Sequence, residues 1–384
     1  MSARPDDSGS LRLFLAGDVM LGRGVDRILP HPGDPRIYES HMRSAEEYVR
    51  IAEAAHGTIP RGAGHAYVWG DAAAALDRLT PDLRIVNLET AVTVSRSALP
   101  KGINYRMHPR NAEALRAFRI DACSLANNHT LDWGEDGLIE TLATLHRLGI
   151  ATAGAGRGAA EAVAPAILMP ARGGRVLLFA AAMASSGTPD SWAARETRPG
   201  LFLIDDLSKE SADGLARRIA AARAPGDVVV LSLHWSGNWG YDLSPEEIAF
   251  AHALIDRAGV DILHGHSSHH PKAVEVHHGK LVLYGCGDFV NDYEGIGGYE
   301  AFRGDLVLGY LARIDPADGT LKALSLLPFR LRKFRLERAS AEERLWLQNM
   351  LSRECARFGP DVEQNGEAAL RLVWPEQDAK PRRN

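Results

Sequence analysis

Cysteine is scarce in this chain of 384 residues: Cys123, Cys286 and Cys355 are odd in number and far apart. Such a set implies no disulfide framework. Long apolar runs are also missing, and none approaches the roughly 20 residues that a membrane-spanning helix needs. Residues 1–10 are polar and lack the apolar core of a signal peptide. Positive charge is not in excess, since 44 Lys and Arg face 49 Asp and Glu for a net charge of -5. Nucleic-acid binding normally leaves a basic footprint, and none is seen. These absences lead us to expect a cytoplasmic globular protein with no membrane span and no nucleic-acid partner. No internal repeat or low-complexity linker divides the chain. Its length and its 45% hydrophobic content suit two average domains or one large α/β domain with insertions.

Histidine, by contrast, is concentrated. His264, His266, His269, His270, His277 and His278 fall within one short stretch, which opens as an apolar strand ending in a Gly-His corner. Neutral imidazole is the commonest metal ligand. Strand-like and helix-like segments alternate elsewhere. Residues 11–16, 83–88, 120–125, 176–181 and 228–233 read as strands, the last two apolar enough to be covered on both faces. Residues 45–55, 71–79, 112–118, 137–148 and 342–358 read as helices, with Asp71 a candidate cap. Ser244-Pro245-Glu246-Glu247 carries a capping-box signature. Residues 274–276 with 281–284, and 305–314 with 321–327, read as β-hairpins. This alternation favours one layered α/β fold over two separate domains.

Five polar clusters each lie where a candidate strand should finish, the place where open α/β sheets bind ligands. Gly17-Asp18, Asn87-Leu88-Glu89, Asn127-Asn128-His129, Ser232-Leu233-His234 and His264-Gly265-His266 are the five. Carboxylate, amide and imidazole together form a ligand set for divalent metals. Each cluster alone also has a structural reading: Asp18 as a turn residue, Glu89 as a solvated strand end, Asn128 and His129 as a hydrogen-bonded loop, His234 as a core histidine. His277 and His278, in a hairpin turn, are expected to be exposed. The acidic run 288–294 is expected to be a solvated loop. The aromatic, glycine-rich stretch 235–241 is either a substrate-facing loop or a packed one.

Taken in order, Gly17-Asp18-Val19-Met20-Leu21-Gly22-Arg23, Asn87-Leu88-Glu89, Ala126-Asn127-Asn128-His129, His234-Trp235 and Gly265-His266-Ser267-Ser268-His269 resemble the CapA-type family, named for poly-γ-glutamate capsule synthesis. The likeness extends to its actinobacterial branch, described as polyglutamine synthesis accessory proteins. It implies a fold similar to the calcineurin-like metallophosphoesterases, a four-layer α-β-β-α sandwich. The resemblance covers residues 11–336. Residues 337–376 are then expected to be a helical extension packed on that domain, and 1–10 and 377–384 disordered tails.

The resemblance implies Asp18, Glu89, Asn128, His234, His266 and His269 as ligands of one or two divalent ions (Ca, Mn, Mg or Zn). His129 becomes the proton-transfer group, with Asp132 its partner three residues on, and Asp18 and His234 further acid–base candidates. Two departures weaken the first of two metal sites. Val19-Met20 replaces the rest of the usual Asp-x-His motif, and two serines separate His266 from His269. Phosphodiester hydrolysis is therefore not the first expectation. The leading one is a metal-dependent enzyme acting on a peptide or poly-γ-glutamate-like amide. Peptide Cα epimerisation of the lasso-peptide type, a phosphoesterase and a non-catalytic accessory protein are the alternatives.

Overall fold

The computed structural model describes residues 9–375 and shows a mixed α/β fold built on two main sheets. Strands β1 (Leu11–Val19), β2 (Leu83–Leu88), β3 (Ala122–Ser124) and β4 (Ala151–Ala153) lie side by side and parallel. A smaller sheet follows in sequence. It comprises β5 (Ala166–Leu168), β6 (Arg175–Ala182), β7 (Asp227–His234), β8 (Ile262–His266), β9 (Val274–His277) and β10 (Lys280–Leu283), in the order β9-β10-β8-β7-β6-β5. The chain then returns to the large sheet. β11 (Asp288–Val290) pairs parallel to β1, and β12 (Leu306–Ile314) pairs antiparallel to it. β13 (Leu321–Arg332), β14 (Arg335–Arg338), β15 (Asp361–Asn365) and β16 (Ala369–Val373) complete ten strands.

Alternation along the strands sorts their side chains into separate cores. In β1, Phe14 and Ala16 join a core with Val49 and Ala52 of α1 (Glu46–His56), Leu76 of α2 (Gly70–Leu79) and Leu138 and Leu142 of α3 (Gly134–Arg147). Leu13 and Leu15 turn the other way and meet Val176, Leu178, Val228, Val230 and Ile262 of the small sheet. The opposite face of that sheet, with Phe179, Leu231 and Leu263, packs on Leu215 of α4 (Lys209–Ala222) and Phe250 and Leu254 of α5 (Pro245–Asp256). The strands covered on both faces are those that read as continuous apolar runs.

The capping box at Ser244 is present, with Ser244 and Glu247 each accepting from the other's backbone N–H. Asp71 does not cap α2. It sits in the first turn and accepts instead from the Arg338 backbone N–H at 2.9 Å. The C-terminal extension carries α6 (Ala341–Cys355) followed by the β15–β16 hairpin, which adds to the large sheet through β13. Its Leu347, Leu351, Val362 and Leu370 lie in the core between the sheets. The helical expectation therefore holds for only part of it. Apart from residues 9 and 10, the expected tails lie outside the described residues, as does Glu376. Among the described residues no helix is long and apolar enough to cross a membrane.

Candidate metal centre

Polar residues extend the apolar face between the sheets. In β7, Val228 and Val230 are followed on the same face by Ser232 and His234, and in β8 Ile262 is followed by His264 and His266. In β2, Ile85 is followed by Asn87. Asp18 requires a device to join them, because the alternation of Phe14 and Ala16 would send it to the helix side. The β1–β2 register supplies it: Ala16 stands opposite Val86 and Asp18 opposite Asn87, leaving Gly17 as an extra, bulged residue. A bulge re-aims the side chain that follows it. A Cβ on Gly17 would sit 1.9 Å from the Gly287 carbonyl oxygen, so only glycine fits there.

Asp18 is thereby shared between two groups of potential ligands, one with His234 and His266 and the other with His269 and Asp288. Within each group the ligand atoms lie inside 4.8 Å of one another. His234 and His266 bring their Nδ1 atoms to 2.8 Å, and His234 Nε2 lies 3.3 Å from Asn128 Oδ1. Asn87 Nδ2 donates to Asp18 Oδ1 at 2.7 Å and leans towards Glu89 Oε2 at 3.5 Å. His269 Nδ1 lies 2.9 Å from Asp288 Oδ1, whose other oxygen accepts from Asn291 Nδ2 at 2.7 Å. His264 stands behind this centre, with Nδ1 on Ser232 Oγ and Nε2 on the Ala16 carbonyl, and has a structural role.

Beside the centre, His129 Nδ1 lies 2.6 Å from Asp132 Oδ2, and its Nε2 faces Glu89 Oε1 at 3.7 Å. The Lys101 ammonium donates to Asp132 Oδ1 at 2.8 Å and to the Asn128 carbonyl. The Tyr105 backbone N–H donates to Asp132 Oδ2 at 2.6 Å. Behind lies Arg23, buried and bidentate on Asp292 at 2.8 and 2.5 Å, with the rings of Tyr48 and Tyr105 on its guanidinium.

Burial sets the electrostatics. It raises the Asp18 carboxyl to about 7, helped by the neighbouring Asp288 carboxylate. Glu89 is pushed well above its ordinary value by burial and then by Asp18. Burial drives His234 and His266 well below the usual imidazole range, so both are neutral and ligand-competent. It also takes His129 down to about 4 despite Asp132. For His269 burial, the largest single influence, pulls downward, but the charge and hydrogen bond of Asp288 together with the Asp18 carboxylate make the net shift upward. Buried carboxylates held at raised pKa beside neutral imidazoles form a donor set suited to a divalent cation, whose charge would offset their repulsion.

The expected ligands Asp18, Glu89, Asn128, His234, His266 and His269 thus converge, and His129 pairs with Asp132. Two expectations need correction. The run 288–294 is not a solvated loop: Asp288, Asp292 and Glu294 are buried, and Asp288 joins Asp18 and His269 in the second group of potential ligands. His277 is largely covered by α5, with its ring 3.8 Å from that of His252, while His278 is exposed as expected. Asp288 carried the same signal as the other site residues, since it follows the apolar segment 281–284 and a Gly-Cys-Gly turn. Asn87 lay within the Asn87-Leu88-Glu89 cluster but was not singled out as a ligand, and Lys101 gave no distinct signal.

The family model for the bacterial capsule synthesis protein PGA_cap matches residues 12–293. The chain is 47% identical over 375 residues to a probable polyglutamine synthesis accessory protein of Mycobacterium tuberculosis (strain ATCC 25618 / H37Rv), covering 97% of this chain and 98% of that one. It is 24% identical over 288 residues to the PGA biosynthesis protein CapA of Bacillus subtilis (strain 168), covering 73% of this chain and 63% of that protein. A capsule biosynthesis protein CapA of Bacillus anthracis is 24% identical over 294 residues, with 74% and 61% covered. This protein belongs to the PGA_cap family of bacterial capsule synthesis proteins.

Proposed function

We propose that the protein is a metal-dependent enzyme acting on an amide of a glutamate polymer or related peptide, with His129 moving the proton. The sharing of Asp18 between two buried ligand groups carries this reading. Asp18, Asn128, His234 and His266 would hold one ion, Asp18, His269 and Asp288 a second, with Glu89 beside them. A divalent cation there supplies Lewis acidity towards a carbonyl oxygen. The chain's own contribution is positional. Asp132 fixes the His129 ring through Nδ1, which leaves Nε2 facing the centre, and burial keeps the imidazole in its proton-accepting form. Lys101 balances the Asp132 charge. The three cores also support reading the fold as a four-layer α-β-β-α sandwich, with the centre between the two sheets.

The test is incubation of metal-free protein with poly-γ-glutamate and added Mn²⁺ or Zn²⁺, following polymer length and new amino groups. Metal-dependent shortening or transfer is expected. A second reading, phosphodiester hydrolysis, is favoured by the same sharing of Asp18, since two-metal sites clamp in-line displacements. Turnover of bis-p-nitrophenyl phosphate with an unaltered polymer would select that reading. The comparisons lend no support to the epimerase alternative. Retention of the polymer without any turnover would select the non-catalytic accessory alternative.

A further inference from the structure

A second set of ligands stands apart from the centre just described. His277 lies opposite Lys280, near the start of β8, whereas His266 ends that strand at the other extremity. His252 and Asp256 are four residues apart on α5, so one helical turn brings them to the same face. Glu275 and His277 are two apart on β9 and likewise share a face. The two faces meet. His252 Nε2 lies 2.9 Å from Glu275 Oε1, and the His252 and His277 rings stack at 3.8 Å. His252, Glu275 and His277 each offer a ligand atom within 4.8 Å of the others.

We propose that His252, Glu275 and His277 form an independent site for a divalent transition-metal ion of the zinc type, pinning α5 to the β9–β10 hairpin. Two imidazoles and one carboxylate suit such an ion, with a fourth position left to water. The surrounding groups are placed as orienting partners. Tyr284 OH donates to Glu275 Oε2 at 2.7 Å, leaving Oε1 towards the histidines. Asp256 Oδ2 lies 3.1 Å from His277 Nε2, while His277 Nδ1 faces Glu275 Oε1 at 3.9 Å. A carboxylate on the far nitrogen is the usual arrangement behind a metal-binding imidazole, fixing its tautomer and orientation. The site does not depend on occupancy of the buried centre.

The test is equilibrium dialysis of the metal-free full chain against zinc chloride, counting bound ions by elemental analysis. His252→Gln is expected to bind one Zn²⁺ fewer per chain than the parent, or to bind it at least tenfold more weakly. His266→Ala is expected to keep that ion. His252 is partly exposed on a helix and glutamine is a good helix former, so this variant is expected to fold, and its Tm without metal checks that. Zn²⁺ should raise the Tm of His266→Ala, and this rise should vanish in the His252→Gln/His266→Ala double variant. Equal zinc content and affinity in His252→Gln and parent, or an undiminished thermal shift in the double variant, would overturn the proposal.

Discussion

Asp18 and Asp288 stand opposite each other in register on the parallel strands β1 and β11, both buried, although they lie far apart in the sequence. Two buried carboxylates side by side repel unless a proton or a cation lies between them. Asp288→Asn should therefore remove one ion from the centre and spare the other, whereas Asp18→Asn should empty both. Metal content after dialysis against Mn²⁺ separates the two. Unchanged metal content in Asp288→Asn would remove Asp288 from the ligand set, and loss of all metal in both variants would show that the two ions do not bind independently.

Much of this candidate centre was readable from local sequence, because five polar clusters each close a strand-like apolar run. His266 and His234 could be placed at the ends of strands from residues 228–233 and 261–266 alone. What sequence could not show was pairing. β11 has three residues and gains its place only by lying against β1, so Asp288 looked like one acid of a polar loop. The bulge at Gly17 was hidden for the same reason: its effect on Asp18 depends on β2 and on the Gly287 carbonyl. His277 was misjudged because a hairpin turn suggests exposure, and only the packing of α5 covers it.

His129→Ala should lower turnover by roughly 10²–10⁴-fold, the usual contribution of a positioned acid–base group, with metal content largely unchanged. Asp132→Asn keeps the ring's neighbour but withdraws the charge that fixes its tautomer, so a smaller loss is expected. Steady-state rates and metal analysis of both variants check this. Survival of activity in His129→Ala would remove it from proton transfer.

Asp227 gives a pH dependence remote from the centre. Arg175 holds its carboxylate with Nε and Nη2 at 2.8 and 2.5 Å, and the Ala224 backbone N–H adds a third bond at 2.7 Å. The Arg175 hydrogen bond lowers its pKa, with burial opposing. A depressed carboxyl stabilises the fold above its unfolded value of about 3.9 and loses that effect as pH falls through the folded value. Asp227→Asn should thus have a lower Tm than the parent at pH 7, and the gap should narrow below about pH 4. A gap that does not change with pH would show that the charge contributes nothing.

Gly17→Ala joins backbone geometry to the centre. The added Cβ would fall 1.9 Å from the Gly287 carbonyl oxygen and 2.9 Å from Cys286 Cβ, and neither neighbour is the free end of a flexible side chain. Relief requires β1 to move away from the Gly285-Cys286-Gly287 turn, which breaks the bond from the Asp18 backbone N–H to the Gly287 carbonyl at 3.1 Å. Overpacking of this kind costs on the order of 3 kcal/mol. The same movement carries Asp18 out of register with Asp288 and away from the Ser267 N–H that holds its Oδ2 at 3.2 Å. The variant should therefore lose stability and metal together, although Gly17 itself offers no ligand. Val86→Ala, at the position opposite Ala16, is the control: it opens a cavity on the helix side and should lower stability while leaving metal content intact. If Gly17→Ala loses stability but binds metal as the parent does, the bulge is a packing feature and does not aim Asp18.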